Sequence, residues 1–269
     1  MPGYNAVDIR ARILQMAYAG STVHIACAFS IVEIISTLYK DFMRYPNNEP
    51  NSEGRDFIVL SKGHGVMAQY ACMLEKNWVK QRDLDAYFSD GSLLTGLADS
   101  RIPGIESTTG SLGHGVSVAV GLALGSKRRG TDQRTFAIAG DGEINEGPVW
   151  EAALFASQHK LKNFVLIVDQ NGLQAMGSTS EILDLGSIAG KFESFGFESR
   201  TVDGHNVEEI SSALSELLSS ASDSPKILVC KTVKGKGVSF MESNNAWHYT
   251  RLTPELYKEA LLEVTGAGR

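Results

Sequence analysis

Two short apolar runs, each broken at once by a turn containing glycine and a carboxylate or amide, constrain this chain more than any other feature. Thr135 to Ala139 (TFAIA) runs into Gly140-Asp141-Gly142-Glu143, and Phe164 to Val168 (FVLIV) runs into Asp169-Gln170-Asn171-Gly172. Runs of this length and composition read as buried parallel strands, and the helical stretch Pro148 to His159 between them supplies the crossover that parallel strands need. Asp141 and Asn171 then stand at adjacent strand ends and face one crevice.

Those residue types suit a magnesium-diphosphate grip. Mg2+ takes near-octahedral oxygen ligands, so the Asp141 carboxylate, the Asn171 amide oxygen and the backbone carbonyl of Leu173 make a set with two diphosphate oxygens and a water. Ca2+ or Mn2+ would take the same donors. Gly140 and Gly142, beside Asp141 and Glu143, lack a Cβ and let a diphosphate approach the backbone, while a helix starting near Asn145 aims free N–H groups at it. Pro148 falls in that helix's first turn, where no donor is needed. Either turn alone is as often an ordinary strand-to-loop connection; the pair, with its crossover, points to thiamine diphosphate.

The remaining pattern predicts one α/β unit over residues 1–269, a doubly wound, mostly parallel sheet flanked by helices. Further strands are expected at Phe57 to Leu60, Glu198 to Val202 and Lys226 to Thr232. Helices are expected at Ala6 to Ala19, Ile31 to Arg44, Met67 to Lys76, Asp83 to Tyr87, Val116 to Lys127, Ile188 to Ser194, Val207 to Ser220 and Pro254 to Val264, with the serine-rich SSALSELLSSASDS read as an exposed helix running into a loop. The irregular stretch from Ser89 to Gly113 exceeds the usual loop length and is expected to line the site. A net charge of −6 argues against a nucleic-acid groove or an anionic membrane surface. No run approaches membrane-spanning length, and the start MPGYNAVDIRARILQ carries Asp and Arg where a leader peptide would be apolar, so a cytoplasmic location is expected. Cys27, Cys72 and Cys230 form neither a zinc pattern nor a disulfide framework and read as buried free thiols.

Seven segments, in one order, resemble the transketolase family, specifically the N-terminal, diphosphate-binding subunit of split, two-gene transketolases. They are GSTVHIACAFSIVEIISTLY (Gly20 to Tyr39), LSKGHG (Leu60 to Gly65), PGIESTTGSLGHG (Pro103 to Gly115), GDGEINEGPVWEA (Gly140 to Ala152), DQNG, VDGHN (Val202 to Asn206) and KGKGVSFMESNNAWH (Lys234 to His248). The resemblance implies that His64 and His248 lie near the cofactor diphosphate and the donor sugar, and that His24 reaches donor hydroxyls. Imidazoles suit this work, since each accepts or donates a hydrogen bond and can pass a proton near neutral pH. It implies further that Gly110, Leu112 and Gly113 pack along the thiazolium, and that Glu146 shares a proton relay with its counterpart across an interface. Without that context Glu146 is a first-turn helix acid favoured by the dipole. His205, in VDGHN, caps or orients the following helix or joins the site. His159, outside every motif, reads as surface.

In the family a glutamate of a second, pyrimidine-binding domain starts the relay that activates the cofactor. That domain and a C-terminal domain have no counterpart before Arg269, so the resemblance places them on a partner subunit, in an α2β2 heterotetramer inactive without it. The chemistry implied is transfer of a two-carbon ketol unit from a ketose phosphate donor to an aldose acceptor. Three positions depart from the family pattern: Leu97 replaces a sugar-binding histidine, Tyr249 follows His248 in place of glycine, and Ala175 replaces a larger aliphatic residue. Losing a partner for a sugar hydroxyl costs about 1 to 3 kcal/mol, which favours a less hydroxylated donor. The alternative is therefore a 2-oxo acid donor such as pyruvate. A regulatory paralogue is disfavoured by the retained Asp141, Asn171, His24, His64 and His248, and a dinucleotide-dependent oxidoreductase by the lack of a GxGxxG turn after an early strand.

Overall fold

A computed structural model describes residues 3–20 and 23–266. Among them seven strands are present: β1 (Phe57–Leu60), β2 (Thr135–Gly140), β3 (Phe164–Gln170), β4 (Leu173–Gln174), β5 (Gly177–Ser178), β6 (Glu198–Asp203) and β7 (Lys226–Lys231). Five of them form one parallel sheet in the order β1-β2-β3-β7-β6, and β4 and β5 make a separate antiparallel hairpin. The central strands are apolar throughout because both of their faces are covered. Ile58, Leu60, Phe136, Ile138, Val165, Ile167, Leu228 and Cys230 enter one core, while Val59, Ala137, Ala139, Leu166, Val168, Ile227 and Val229 enter the other. The strict alternation is the period-two geometry of a pleated strand.

Eleven α-helices occur among the described residues: α1 (Ala6–Ala19), α2 (Ile25–Phe29), α3 (Val32–Thr37), α4 (Val66–Glu75), α5 (Gln81–Asp85), α6 (His114–Arg129), α7 (Gly147–Gln158), α8 (Thr179–Leu183), α9 (Ile188–Ser194), α10 (Val207–Ser219) and α11 (Pro254–Thr265). Helices α6, α7 and α9 pack on one face of the sheet, and α1 to α4 with α10 and α11 on the other. The chain steps from β1 to β2 to β3 in one direction and from β6 back to β7 in the other. Right-handed crossovers therefore put α10 opposite α6 and α7, which makes the sheet doubly wound. No described helix is long and apolar enough to cross a membrane.

Several boundaries differ from the sequence expectation. The helix expected from Ile31 to Arg44 is α3 running on into a π turn over Leu38–Phe42, and the short helix α2 ahead of it was not expected. Ser30 separates α2 from α3: its hydroxyl bonds back to the Cys27 carbonyl at 3.2 Å and reaches Asp169 at 2.7 Å. The helix expected near Asn145 begins at Gly147, after a 3-10 turn over Glu143–Asn145. The serine-rich helix α10 is not an exposed one: Ile210, Ala213, Leu214 and Leu217 are buried, and its serines take the outer face. The β4–β5 hairpin and α8 carried no sequence signal. Cys27, Cys72 and Cys230 are buried free thiols.

Candidate active site

Because the five strands run parallel, the segments after β1, β2, β3 and β7 emerge on one side of the sheet. They form the floor of a cavity of about 720 Å³. His24, His64, Gly110, Leu112, Gly140, Asp141, Gly142, Glu143, Glu146, Asn171, Leu173 and His248 all line it. Of the residues singled out from the sequence for this site, Gly113 alone lies behind the wall.

Asp141 is buried, with one carboxylate oxygen accepting from the Gly142 amide at 2.8 Å and the other from the Gly172 amide at 2.6 Å. Burial, reinforced by the nearby Asp169 charge, pushes its pKa up to about 6, so a cation at this carboxylate would relieve a real electrostatic cost. Asn171 donates to Asp169 at 2.9 Å and accepts from the Leu173 amide at 3.1 Å, which fixes the orientation of its side chain. Beneath them lies a hub absent from the sequence reading. Lys62 meets Asp169 at 2.5 Å, with Ser30 and Thr232 also donating to that carboxylate. Lys62, Asp169 and Ser30 are all buried. Burial alone would raise Asp169 and lower Lys62, but each partner outweighs it, leaving Asp169 below and Lys62 above the ordinary value.

Three imidazoles form the next layer, with ring centroids 5.2 Å apart for His24 and His64, 5.3 Å for His24 and His248, and 5.7 Å for His64 and His248. Burial, followed by the positive charge of Lys234 or Lys62, lowers all three, His24 and His248 to about 4. They are neutral near pH 7. Lys234 lies 2.8 Å from the Nδ1 of His248 and, as an ammonium, has only donors to offer, so His248 carries its proton on Nε2. The turn bearing Lys234 is held from both ends. His205 accepts from the Val233 amide at 2.8 Å through Nε2, and its Nδ1 meets Glu33 at 2.9 Å. Arg10 grips Glu33 at 2.7 and 3.0 Å and donates to the Lys236 carbonyl at 2.8 Å. His205 therefore lies outside the cavity, bracing a loop. The His159 ring lies 4.2 Å from that of Phe155, tilted against it, and does not line the cavity.

Glu143 has no free lone-pair demand: its carboxylate accepts from the Ser61 hydroxyl at 2.5 Å and the amides of Gly113 and Gly140 at 2.7 and 3.2 Å. It ties three strand and helix ends together instead of reaching outward. Gly113 caps α6 at φ +83°, and a Cβ there would stand 2.7 Å from that of Glu146. Glu146 itself is exposed at the cavity mouth.

The donor types at these strand ends suit a diphosphate and a divalent cation: Asp141, Asn171 and the Leu173 carbonyl offer oxygens of the kind a hard cation takes, and would need further oxygens from a ligand to complete a coordination shell. Two cavity-lining polar atoms, Asn145 Oδ1 and Gln174 Nε2, are buried with no partner, which leaves an acceptor and a donor to be satisfied from the cavity.

Sequence reasoning missed Lys62, Asp169, Ser30, Thr232, Lys234 and Gln174. Asp169 and Lys62 sit inside quoted motifs, and a lysine or aspartate in an otherwise apolar strand-end context was the available signal. Of the three departures, Leu97 and Ala175 line the cavity, and the Tyr249 ring lies 4.6 Å from that of His24.

A doubly wound parallel sheet with its cavity at the strand ends is the architecture of ligand-binding α/β proteins. The family model described as "Transketolase, thiamine diphosphate binding domain" matches residues 6–260. An apulose-4-phosphate transketolase subunit from Phocaeicola vulgatus is 37% identical over 95% of this chain and 91% of its own. The 6-deoxy-6-sulfo-D-fructose transketolase subunit SqwG of a Clostridium species is 39% identical over 91% of this chain and 89% of its own. The crystallised transketolase of Leishmania mexicana superposes with a TM-score of 0.88 at 28% identity, covering 97% of this chain and 40% of that one. The chain belongs to the transketolase family and is of the N-terminal subunit type, a transferase lineage.

Proposed function

We propose that this chain is the cofactor-holding subunit of a two-component transketolase, which moves a two-carbon ketol unit from a ketose or ketose phosphate to an aldose acceptor. The observation that carries this reading is the meeting, in one cavity, of Asp141 and Asn171 with three neutral imidazoles and Lys234. Asp141, Asn171 and the Leu173 carbonyl would hold Mg2+, or Ca2+ or Mn2+ in its place. Gly140 and Gly142 would let the diphosphate close on the backbone, and Gln174 and Lys234 would add donors. Thiamine diphosphate, when bound, supplies carbanion stabilisation. The protein positions: His248 presents Nε2–H to the cavity, and His24 and His64, neutral and free to accept or donate, hold donor hydroxyls.

Relatives named as transketolase subunits, matched over about nine-tenths of their length, support completion by a second chain bearing the pyrimidine-binding domain. Glu146, exposed at the mouth, would face an interface in an α2β2 assembly, and the three free thiols suit a cytoplasmic setting. Leu97 in the cavity wall favours a second reading, in which the donor is a 2-oxo acid such as pyruvate. Mixing experiments test the proposal. The purified chain with thiamine diphosphate and Mg2+ should not consume xylulose 5-phosphate or pyruvate, and turnover should appear when the partner subunit is added. Turnover by this chain alone, or none by the mixture with any ketose or 2-oxo acid, would refute it.

A further inference from the structure

A second cavity of about 380 Å³ adjoins the first, with His24 and Leu97 lining both. Its apolar walls are Val23, Phe88, Leu97, Ala98 and the Tyr249 ring. Most of the polar residues that border it, His24 and the Tyr249 hydroxyl apart, are already engaged within the protein. Thr95 donates to the Leu97 carbonyl at 2.8 Å, Thr109 to the Leu60 carbonyl at 2.8 Å, Thr108 accepts from the Ser100 amide at 3.1 Å, and Arg101 takes both oxygens of Asp99. Among the described residues no lysine or arginine lines the annex, so it holds no fixed cation for a phosphate, and its hydrogen-bonding groups sit at the His24 and Tyr249 side.

Its shape is held by the backbone. Phe88 is a bulky non-glycine residue in the left-handed region, at φ +57°, anchored by its amide on the Leu94 carbonyl at 3.0 Å. Its ring lies on Gly96, where a Cβ would stand 2.9 Å from it. That backbone conformation leaves the Phe88 ring, 43% exposed, in the wall of the annex. The volume exceeds the roughly 150 Å³ that accommodates a benzene ring.

We propose that the annex binds the apolar tail of an acceptor aldehyde, so that the assembled enzyme delivers its two-carbon unit to alkyl or aryl aldehydes. This rests on the two-carbon-transfer reading: His24 stands on the reacting side, and carbons beyond the aldehyde pass Leu97 into the annex. Two measurements test it. In the purified chain, with methyl groups of Leu, Val and Ala labelled with carbon-13, titration with the unreactive probe 1-hexanol should give saturable shifts at Leu97, Val23 and Ala98. Phe88→Asn, which keeps a residue tolerant of positive φ while removing the ring, should abolish them. In the assembled complex, kcat/KM from propanal to hexanal should rise about fourfold per methylene. Phe88→Asn should lower the hexanal-to-propanal ratio about tenfold or more.

If Phe88→Asn fails to fold, Leu97→Asn, at a position 40% exposed, repeats the comparison. Absent shifts at these methyls, a flat aldehyde series in an active complex, or expulsion of hexanol by the partner subunit would each overturn the annex as a substrate site. A complex that transfers no two-carbon unit to any acceptor would instead defeat the functional reading, leaving the hexanol titration to decide the annex by itself.

Discussion

On the cavity floor, Lys62, Asp169, Ser30, Thr232 and Asn171 share one polar hub, whereas at the annex end Phe88, Leu97 and Tyr249 stand half exposed and the threonines around them are already engaged. The floor is costly to alter because removing one member strands a charge away from water. The annex side chains are cheap to alter, since an exposed substitution changes stability by about 0.5 kcal/mol or less. Under the proposed function, the contrast would separate a floor that holds the cofactor from an annex free to vary with the substrate.

The largest expected effect is on the floor. Asp141→Ala removes the carboxylate that a divalent cation would neutralise, and thiamine diphosphate affinity in the presence of Mg2+, measured by calorimetry, should fall about 100-fold or more. Unchanged binding by the folded variant would break the comparison at its strongest point. Next, Lys62→Met leaves Asp169 uncompensated and should destabilise the chain by about 3 to 5 kcal/mol. At about 2 to 4 °C of melting temperature per kcal/mol, differential scanning calorimetry would see this easily. Adding Asp169→Asn should recover much of the loss; a single variant as stable as the parent would show that the pair is not coupled.

A smaller effect comes from the imidazoles between the two ends. His24 and His248 have folded pKa values of about 4, below the ordinary 6.5. Their contribution to stability is complete above about pH 6.5 and declines as pH falls toward 4, because the unfolded chain gains protons first. Urea melts of the apo chain between pH 7 and pH 4.5 should show this slope, and the variant carrying both His24→Asn and His248→Asn should lose part of it. An identical slope in both proteins would mean that these rings titrate normally. The smallest stability change is expected from Leu97→His. In the assembled complex it should nevertheless raise kcat/KM for a ketose relative to pyruvate by about tenfold. A parent complex that already handles xylulose 5-phosphate well, with the variant no better, would remove Leu97 from donor choice.

The same contrast decides what could be read in the sequence. The floor was legible in outline, since Asp141 and Asn171 each follow an apolar run that only a buried strand explains, and all five strands of the sheet were expected within a residue or two. Its hub was not, because Lys62 and Asp169 declare a partnership only in three dimensions. The annex was legible only in part: the stretch from Ser89 to Gly113 was expected to line the site and supplies Leu97 and Thr108, and Leu97 and Tyr249 stood out as departures, but Val23 and Phe88 carried no signal. The unexpected helix α2, which ends at Ser30, has the same origin, for Ser30 answers to a carboxylate 139 residues away.

The brace that holds the Lys234 turn has a consequence for the order of folding. Arg10 reaches the Lys236 carbonyl across 226 positions, and Glu33 reaches His205 across 172. Closures of that span are entropically late events, to be expected only after the local helices and neighbouring strands have formed. Lys234, and through it the proton on His248, is therefore set when the first and last thirds of the chain meet. The polypeptide can reach most of its final secondary structure before it acquires the side-chain geometry that any ligand would recognise.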